Sequence, residues 1–185
     1  KKAIEKGADG LIAVAAGAGG HAGGLSPFAL VQEIRQWFDG PLILSGAIAN
    51  GKSILAAQAM GADLAYIGSP FIATEEANAI DSYKQMIIEC GAEDIIYSDY
   101  FTGVWGNYLK PSLIANGLDP DNLQYSSGVT MNFGEGESDK TKKWKDIWGS
   151  GQGIGTIKDV VAAADRISDL KAQYEAAKAY LNAAY

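Results

Sequence analysis

The 185 residues carry 15 basic and 22 acidic side chains, a net charge of −7, with 48% hydrophobic and 20% charged residues. This balance excludes a general binder of nucleic acid or anionic membrane, which needs a basic face. No apolar run reaches the ~20 residues of a membrane span. The single Cys90 excludes an internal disulfide and a cysteine metal cluster, and suits a reducing cytoplasm.

The opening "KKAIEKGADG" reads as the last turns of a helix, with Gly7 as its left-handed stop. "GLIAVAA" (10–16) is a short apolar run without alternation, as expected of a strand covered on both faces. "AAGAGGHAGG" (15–24) follows, with five glycines, four alanines and the one histidine of the sequence. Glycine loses the most backbone entropy on folding, so such a run points to close backbone approach. Ser26 as N-cap and Pro27 at the first helical position open a helix whose apolar residues recur from Phe28 to Phe38, ended by Gly40-Pro41. "PLILS" (41–45) is a second strand, a helix from Lys52 to Met60 closes at Gly61, and "DLAYIG" (63–68) is a third strand. Thr74, followed by Glu75 and Glu76, predicts the cap of a longer helix reaching Cys90, which is expected as a small core residue.

The order β-α-β-α-β-α predicts parallel strands with crossover helices. Each strand ends in small residues: Gly17-Ala18-Gly19-Gly20, then Ser45-Gly46-Ala47, then Gly68-Ser69. Carboxyl-terminal tips are the ligand-binding face of parallel α/β folds, and bare backbone N–H groups there favour an anion. Three such tips together point to a cofactor site.

Beyond residue 92, "EDIIYSDYFTGVWGNYLKPSLIANG" predicts strand or loop leading into a short helix. Tyr97, Tyr100, Phe101, Trp105 and Tyr108 line a substrate pocket or pack a core. "SDKTKKWKD", with Lys142, Lys143 and Lys145, reads as a solvated run, and "GSGQGIG" (149–155) as a second glycine loop, with Gln152 in a plain turn or at a ligand. From Thr156 to Tyr185 an alanine-rich helix is expected, with Val160, Val161, Ala164, Ile167, Leu170 and Tyr174 on one face.

"AGGHAG" (18–23), "LILSGAIANGKSILAAQAMGADLAYIGSPFIATEEA" (42–77), "FTG" (101–103) and "GQGIG" (151–155) together resemble the nitronate monooxygenases, an FMN-dependent TIM-barrel family. The resemblance implies an α/β fold: the C-terminal part of a (β/α)₈ TIM barrel, about three β/α units over 1–92. A substrate-side segment (93–155) and a C-terminal helix (156–185) would follow. Such a barrel needs about 250 residues, so the sequence is expected to be part of a longer chain whose N-terminal remainder completes the barrel.

The resemblance further implies FMN across the strand tips. Gly19 and Gly20 would face the flavin, Gly46 and Ala47 would give N–H groups to its phosphate, and Ile67, Gly68 and Ser69 would complete the cradle. His21 corresponds to the family's active-site histidine, beside the flavin's reactive edge. A neutral imidazole can take a proton from the carbon bearing a nitro group, and an imidazolium can hold the nitronate. The activity implied is oxidation of alkyl nitronates by oxygen to a carbonyl compound and nitrite, without a metal. Related barrels sharing the AGGH element imply the alternative of an NAD(P)H-dependent reductase of enoyl thioesters or quinones; a non-catalytic binder of a phosphate ligand is the third reading. Val14 stands where the family commonly has Gln, and Ala47 where it has the second Gly of the phosphate loop. Neither the substrate nor the oligomeric state is fixed by the sequence.

Overall fold

The computed structural model describes residues 1–123 and 146–184. The lysine run at 142–145 lies outside the described residues. A short helix α1 (Lys2–Glu5) ends at Gly7, whose φ of +91° fits the expected left-handed stop. Then come β1 (Leu11–Val14), β2 (Gly20–His21), α2 (Pro27–Arg35), β3 (Leu42–Ser45), α3 (Gly51–Met60) and β4 (Leu64–Tyr66).

Strands β1, β3 and β4 form one parallel sheet in that order, with Leu11 opposite Leu42 and Ile43 opposite Leu64. Helices α2 and α3 cover one face and enclose a core of Ala13, Ala15, Val31, Leu42, Leu44, Ile48, Ala57 and Ala62. The other face is bare: Ile12, Val14, Leu64 and Tyr66 are 53%, 40%, 60% and 57% exposed. The strand run was expected to be covered on both faces; within these residues it alternates. In a closed β/α barrel, side chains on that face fill the interior.

Local chemistry explains the element ends. Asn50 and Ser53 form a capping box at the start of α3, and Gly61 (φ +110°) ends it. Ser26 occupies the N-cap position of α2 but makes no side-chain cap bond, so Pro27 carries that start. At the end of the sheet away from the tips, Arg35 donates to the carbonyls of Gly61 (2.7 Å) and Gly40 (2.8 Å) and pairs with Asp63 (2.9 Å). Asp63 also accepts the Leu42 N–H at 2.7 Å, and these two partners hold its carboxyl below the usual range.

The helix expected from Thr74 to Cys90 is shorter, α5 (Asp81–Glu89), and a separate single turn, α4 (Ser69–Ile72), precedes Thr74. Thr74 caps neither: its hydroxyl donates to the Phe71 carbonyl, and its backbone bridges to Val161. Glu76 accepts the Ala163 N–H (2.8 Å) at the start of the last helix, α7 (Ala163–Ala184). That helix therefore begins after Val160 and Val161, because 152–156 is a 3₁₀ turn and Val161 is extended against Thr74. Of the expected apolar face, Leu170 and Tyr174 do turn inward, joined by Arg166. Arg166 and Leu170 are 8% exposed, whereas Ile167 is 56% exposed and Ala164 is also exposed. Helix α7 crosses the start of α3, where a Cβ on Gly51 would lie 2.1 Å from the Tyr174 nitrogen.

Beyond α5, β5 (Ile95–Ser98), β6 (Gly106–Leu109) and α6 (Lys110–Ala115) are the strand and short helix expected there. Periodicity had not indicated their pairing. β6 lies between β5 and β2 in an antiparallel sheet, which draws Gly20–His21 out of the glycine loop and into register with Asn107 and Gly106. Gly106 makes this approach feasible, since a Cβ there would sit 2.9 Å from the Gly20 carbonyl oxygen. Cys90 is buried in the second core cluster with Ile87, Leu109, Ile154 and Ile157. No helix among the described residues is long and apolar enough to cross a membrane.

Candidate active site at the strand tips

The three strand tips converge on one cavity of about 360 Å³, within the usual size of small-molecule sites. Gly17 to Gly20, Ser45 to Ala49, Gly68 and Ser69 line it, together with Tyr66, Ile72, Tyr83, Gly149, Gly151 and Gly153. Gly19, Gly20, Gly46, Ala47, Gly68 and Ser69 are thus brought together. Ile67 is not among the lining residues, because its side chain packs against the first core.

The glycines divide into two kinds. At Gly19 a Cβ would lie 2.8 Å from the Gly151 nitrogen; at Gly151, 2.9 Å from the Gly17 oxygen; at Gly153, 2.8 Å from the Ala47 oxygen. These glycines let the two glycine-rich loops pack backbone to backbone. Around Gly20 and Gly68, both of which line the cavity, a Cβ would by contrast meet nothing within 4 Å, so no protein atom there requires glycine for space.

The loops are also stapled by hydrogen bonds. The Gly17 carbonyl accepts from Ala47 N–H (3.1 Å) and Gln152 N–H (3.0 Å), and Gly151 N–H donates to Ser69 Oγ (2.9 Å). Gln152 therefore joins loop to loop and is not a lining residue. Ala47 was expected to offer its N–H to a ligand, but that N–H is directed to Gly17. Its φ of +53° makes it the one non-glycine in the left-handed region among the described residues, a conformation that costs alanine about 1 kcal/mol. Among the described residues, the N–H groups of Gly46, Ile48, Gly68 and Ser69 meet no protein acceptor. These are the donors left for an anion.

Tyr83 stacks on Trp148 with centroids 4.9 Å apart, and its hydroxyl donates to the Gly149 carbonyl at 2.5 Å. Burial pushes its phenol up to about 12, so it lines the cavity as a neutral donor and not as a base.

His21 stands one residue beyond the lining, on β2, and is exposed. Its Nε2 lies 3.1 Å from Thr102 Oγ1. Tyr97 and Trp105 stack 4.9 Å apart beside this strand, and the Tyr97 hydroxyl donates to the Ala22 carbonyl at 3.0 Å. Tyr100, Phe101 and Tyr108 form edge-on contacts running inward to Tyr108, which is 4% exposed. The five aromatic residues thus split between a half-open shelf near His21 and core packing, and none lines the cavity. No group of three or more His, Cys, Asp or Glu is placed to hold a metal ion among the described residues.

Parallel strands joined by helices, with a ligand-sized cavity at their carboxyl tips, define a segment of the β/α-barrel class. The chain belongs to the nitronate monooxygenase family, whose model matches residues 1–173. It is 28% identical over 142 residues to the nitronate monooxygenase of Paraburkholderia phytofirmans, covering 68% of this chain and 39% of that protein. It is 25% identical over 147 residues to (3aS,4S,5R,7aS)-5-hydroxy-7a-methyl-1-oxo-octahydro-1H-indene-4-carboxyl-CoA dehydrogenase of Rhodococcus jostii, covering 80% of this chain and 42% of that protein. Among solved structures, nitroalkane oxidase from Streptomyces ansochromogenes superposes with a TM-score of 0.73 at 26% identity, over 97% of this chain and 56% of that one. The chain thus spans about two-fifths of the length of these curated relatives.

Sequence reasoning did not place Tyr66, Ile72 or Tyr83 at the cavity. Their signal was weak, since each sits in an apolar pattern that reads as core. The second glycine loop was a better clue: three alternating glycines at 149, 151 and 153 are costly unless another backbone lies against them.

Proposed function

We propose that the protein containing this chain is an oxidoreductase that binds FMN at the strand tips and oxidises alkyl nitronates with oxygen. The observation that carries the reading is the cavity, with four N–H groups that meet no acceptor among the described residues and two glycines with open space beside it, one residue from His21. Those donors suit a phosphate, and the bare backbone at Gly20 suits a planar ring lying close.

The residues fit FMN in this way: Gly46, Ile48, Gly68 and Ser69 would hold the phosphate, Gly19 and Gly20 would face the ring, and Ala47 shapes the loop. FMN when bound supplies electron acceptance from the nitronate, with oxygen as co-substrate. His21 binds the nitro group's side of the substrate and takes the proton from the adjacent carbon when the substrate arrives as the neutral nitroalkane. Membership of the family supports this activity. The relative that acts as a carboxyl-CoA dehydrogenase supports a second reading, a flavin-dependent redox reaction on a CoA thioester.

Oxygen uptake by the whole, flavin-loaded protein separates them. Nitronate-driven uptake without NAD(P)H is expected. His21→Asn should lower turnover of the neutral nitroalkane about 100-fold or more and that of the preformed nitronate far less. Bleaching of the flavin by NAD(P)H without air, with no nitronate oxidation, would favour the second reading.

A further inference from the structure

The contact between His21 and Thr102 determines more than the position of the ring. Thr102 is 6% exposed, and its hydroxyl has several neighbours competing for one proton. Its Oγ1 donates to the Val104 carbonyl at 2.9 Å and accepts the Val104 N–H at 3.1 Å. A carbonyl can only accept, so the Thr102 proton belongs to Val104, and the Val104 N–H takes one of the two lone pairs. The remaining partner, His21 Nε2 at 3.1 Å, must then be the donor. Nδ1 has no protein partner among the described residues.

We infer that Thr102 is a positioning residue that holds His21 in the Nε2–H tautomer, leaving Nδ1 as the atom that accepts a proton. Which ring nitrogen is basic is set by the hydrogen bond the other one makes. Here that bond comes from a tight turn, 102–104, whose own backbone fixes the hydroxyl's direction. The catalytic consequence rests on the reading of His21 as the base; the tautomer itself does not.

The test is long-range proton–nitrogen correlation NMR on the ¹⁵N-labelled whole protein, with the His21 ring signals assigned by their loss in His21→Asn. The expected pattern for the neutral ring is a protonated Nε2 and a lone-pair Nδ1. A cross-relaxation contact from the ring N–H to the Thr102 methyl identifies the partner without any variant. Thr102→Val should collapse the pattern toward a tautomer average and lower kcat/KM on a neutral nitroalkane about tenfold, the rate equivalent of one lost hydrogen bond. Thr102→Ser should restore both. An averaged or Nδ1–H pattern in the unaltered protein, or an unchanged pattern in folded Thr102→Val, overturns the inference. Either result would leave nitronate-driven oxygen uptake as it was, so the two readings fail separately.

Discussion

The anion-facing side of the cavity and the His21 corner adjoin in the chain, yet they are assembled from different materials. The first is backbone: glycines at strand tips, N–H groups without acceptors, and a second glycine loop pressed against the first by contacts that no Cβ could occupy. The second is side chain on borrowed sheet: His21 is held by a two-residue strand paired to β6 and by a hydroxyl 81 positions away. A backbone site tolerates few substitutions but needs little sequence variety. A side-chain site built on distant pairing depends on residues that look ordinary where they stand.

The sharpest way to separate steric support from ligand space is to add one methyl group to each kind of glycine. Gly19→Ala forces a Cβ within 2.8 Å of the Gly151 nitrogen. It should cost about 1–3 kcal/mol of stability, as overpacking does, and lose FMN as the loops part. Gly68→Ala has a permitted backbone (φ −117°) and open space. Stability should stay within about 0.5 kcal/mol, while FMN binding weakens about tenfold or more from the methyl alone. Denaturant melts and flavin titration of both variants decide this, and unchanged binding by Gly68→Ala would remove the cavity from the account.

Ala47 offers a finer probe of the backbone side. Its left-handed conformation costs about 1 kcal/mol, against roughly 0.4–1 kcal/mol of extra unfolded-state entropy for glycine. Ala47→Gly should therefore leave stability unchanged or slightly raised, read from the urea midpoint. A clear loss would mean that the methyl group packs usefully.

A pH-dependent effect is expected at Tyr83. Its phenol is raised from 10.0 to about 12 by burial, so the folded state favours the protonated form. The contribution is full below pH 10 and is lost as pH rises through 12. Unfolding midpoints measured between pH 9 and 11.5 should fall, and Tyr83→Phe should flatten that fall.

The parallel sheet and its crossover helices were legible because Leu42, Leu44, Val31 and Ala57 repeat at the periods that burial demands. The glycine tips were legible for a similar local reason. Four features were not. Thr74 carries cap chemistry but bonds backward to Phe71 and pairs with Val161 across the fold, an arrangement that no window of sequence contains. In α7 Leu170 turns inward with the apolar pattern, but so does Arg166, which pairs with Asp159 (2.7 Å) and which no apolar period marks. The pairing of Gly20–His21 with β6 needed Gly106 to be read as a site of close approach, although alone it resembles any turn glycine. Thr102 was visible only as part of "FTG", with nothing in the sequence linking it to His21.

The central claim is that the strand tips recognise a phosphorylated flavin through backbone N–H groups. The most direct measurement is titration of the flavin-free whole protein with FMN and with riboflavin, which lacks only the phosphate. The account predicts that FMN binds about 100-fold more tightly, the worth of two hydrogen bonds to a charged group. Equal affinity for the two flavins would contradict it.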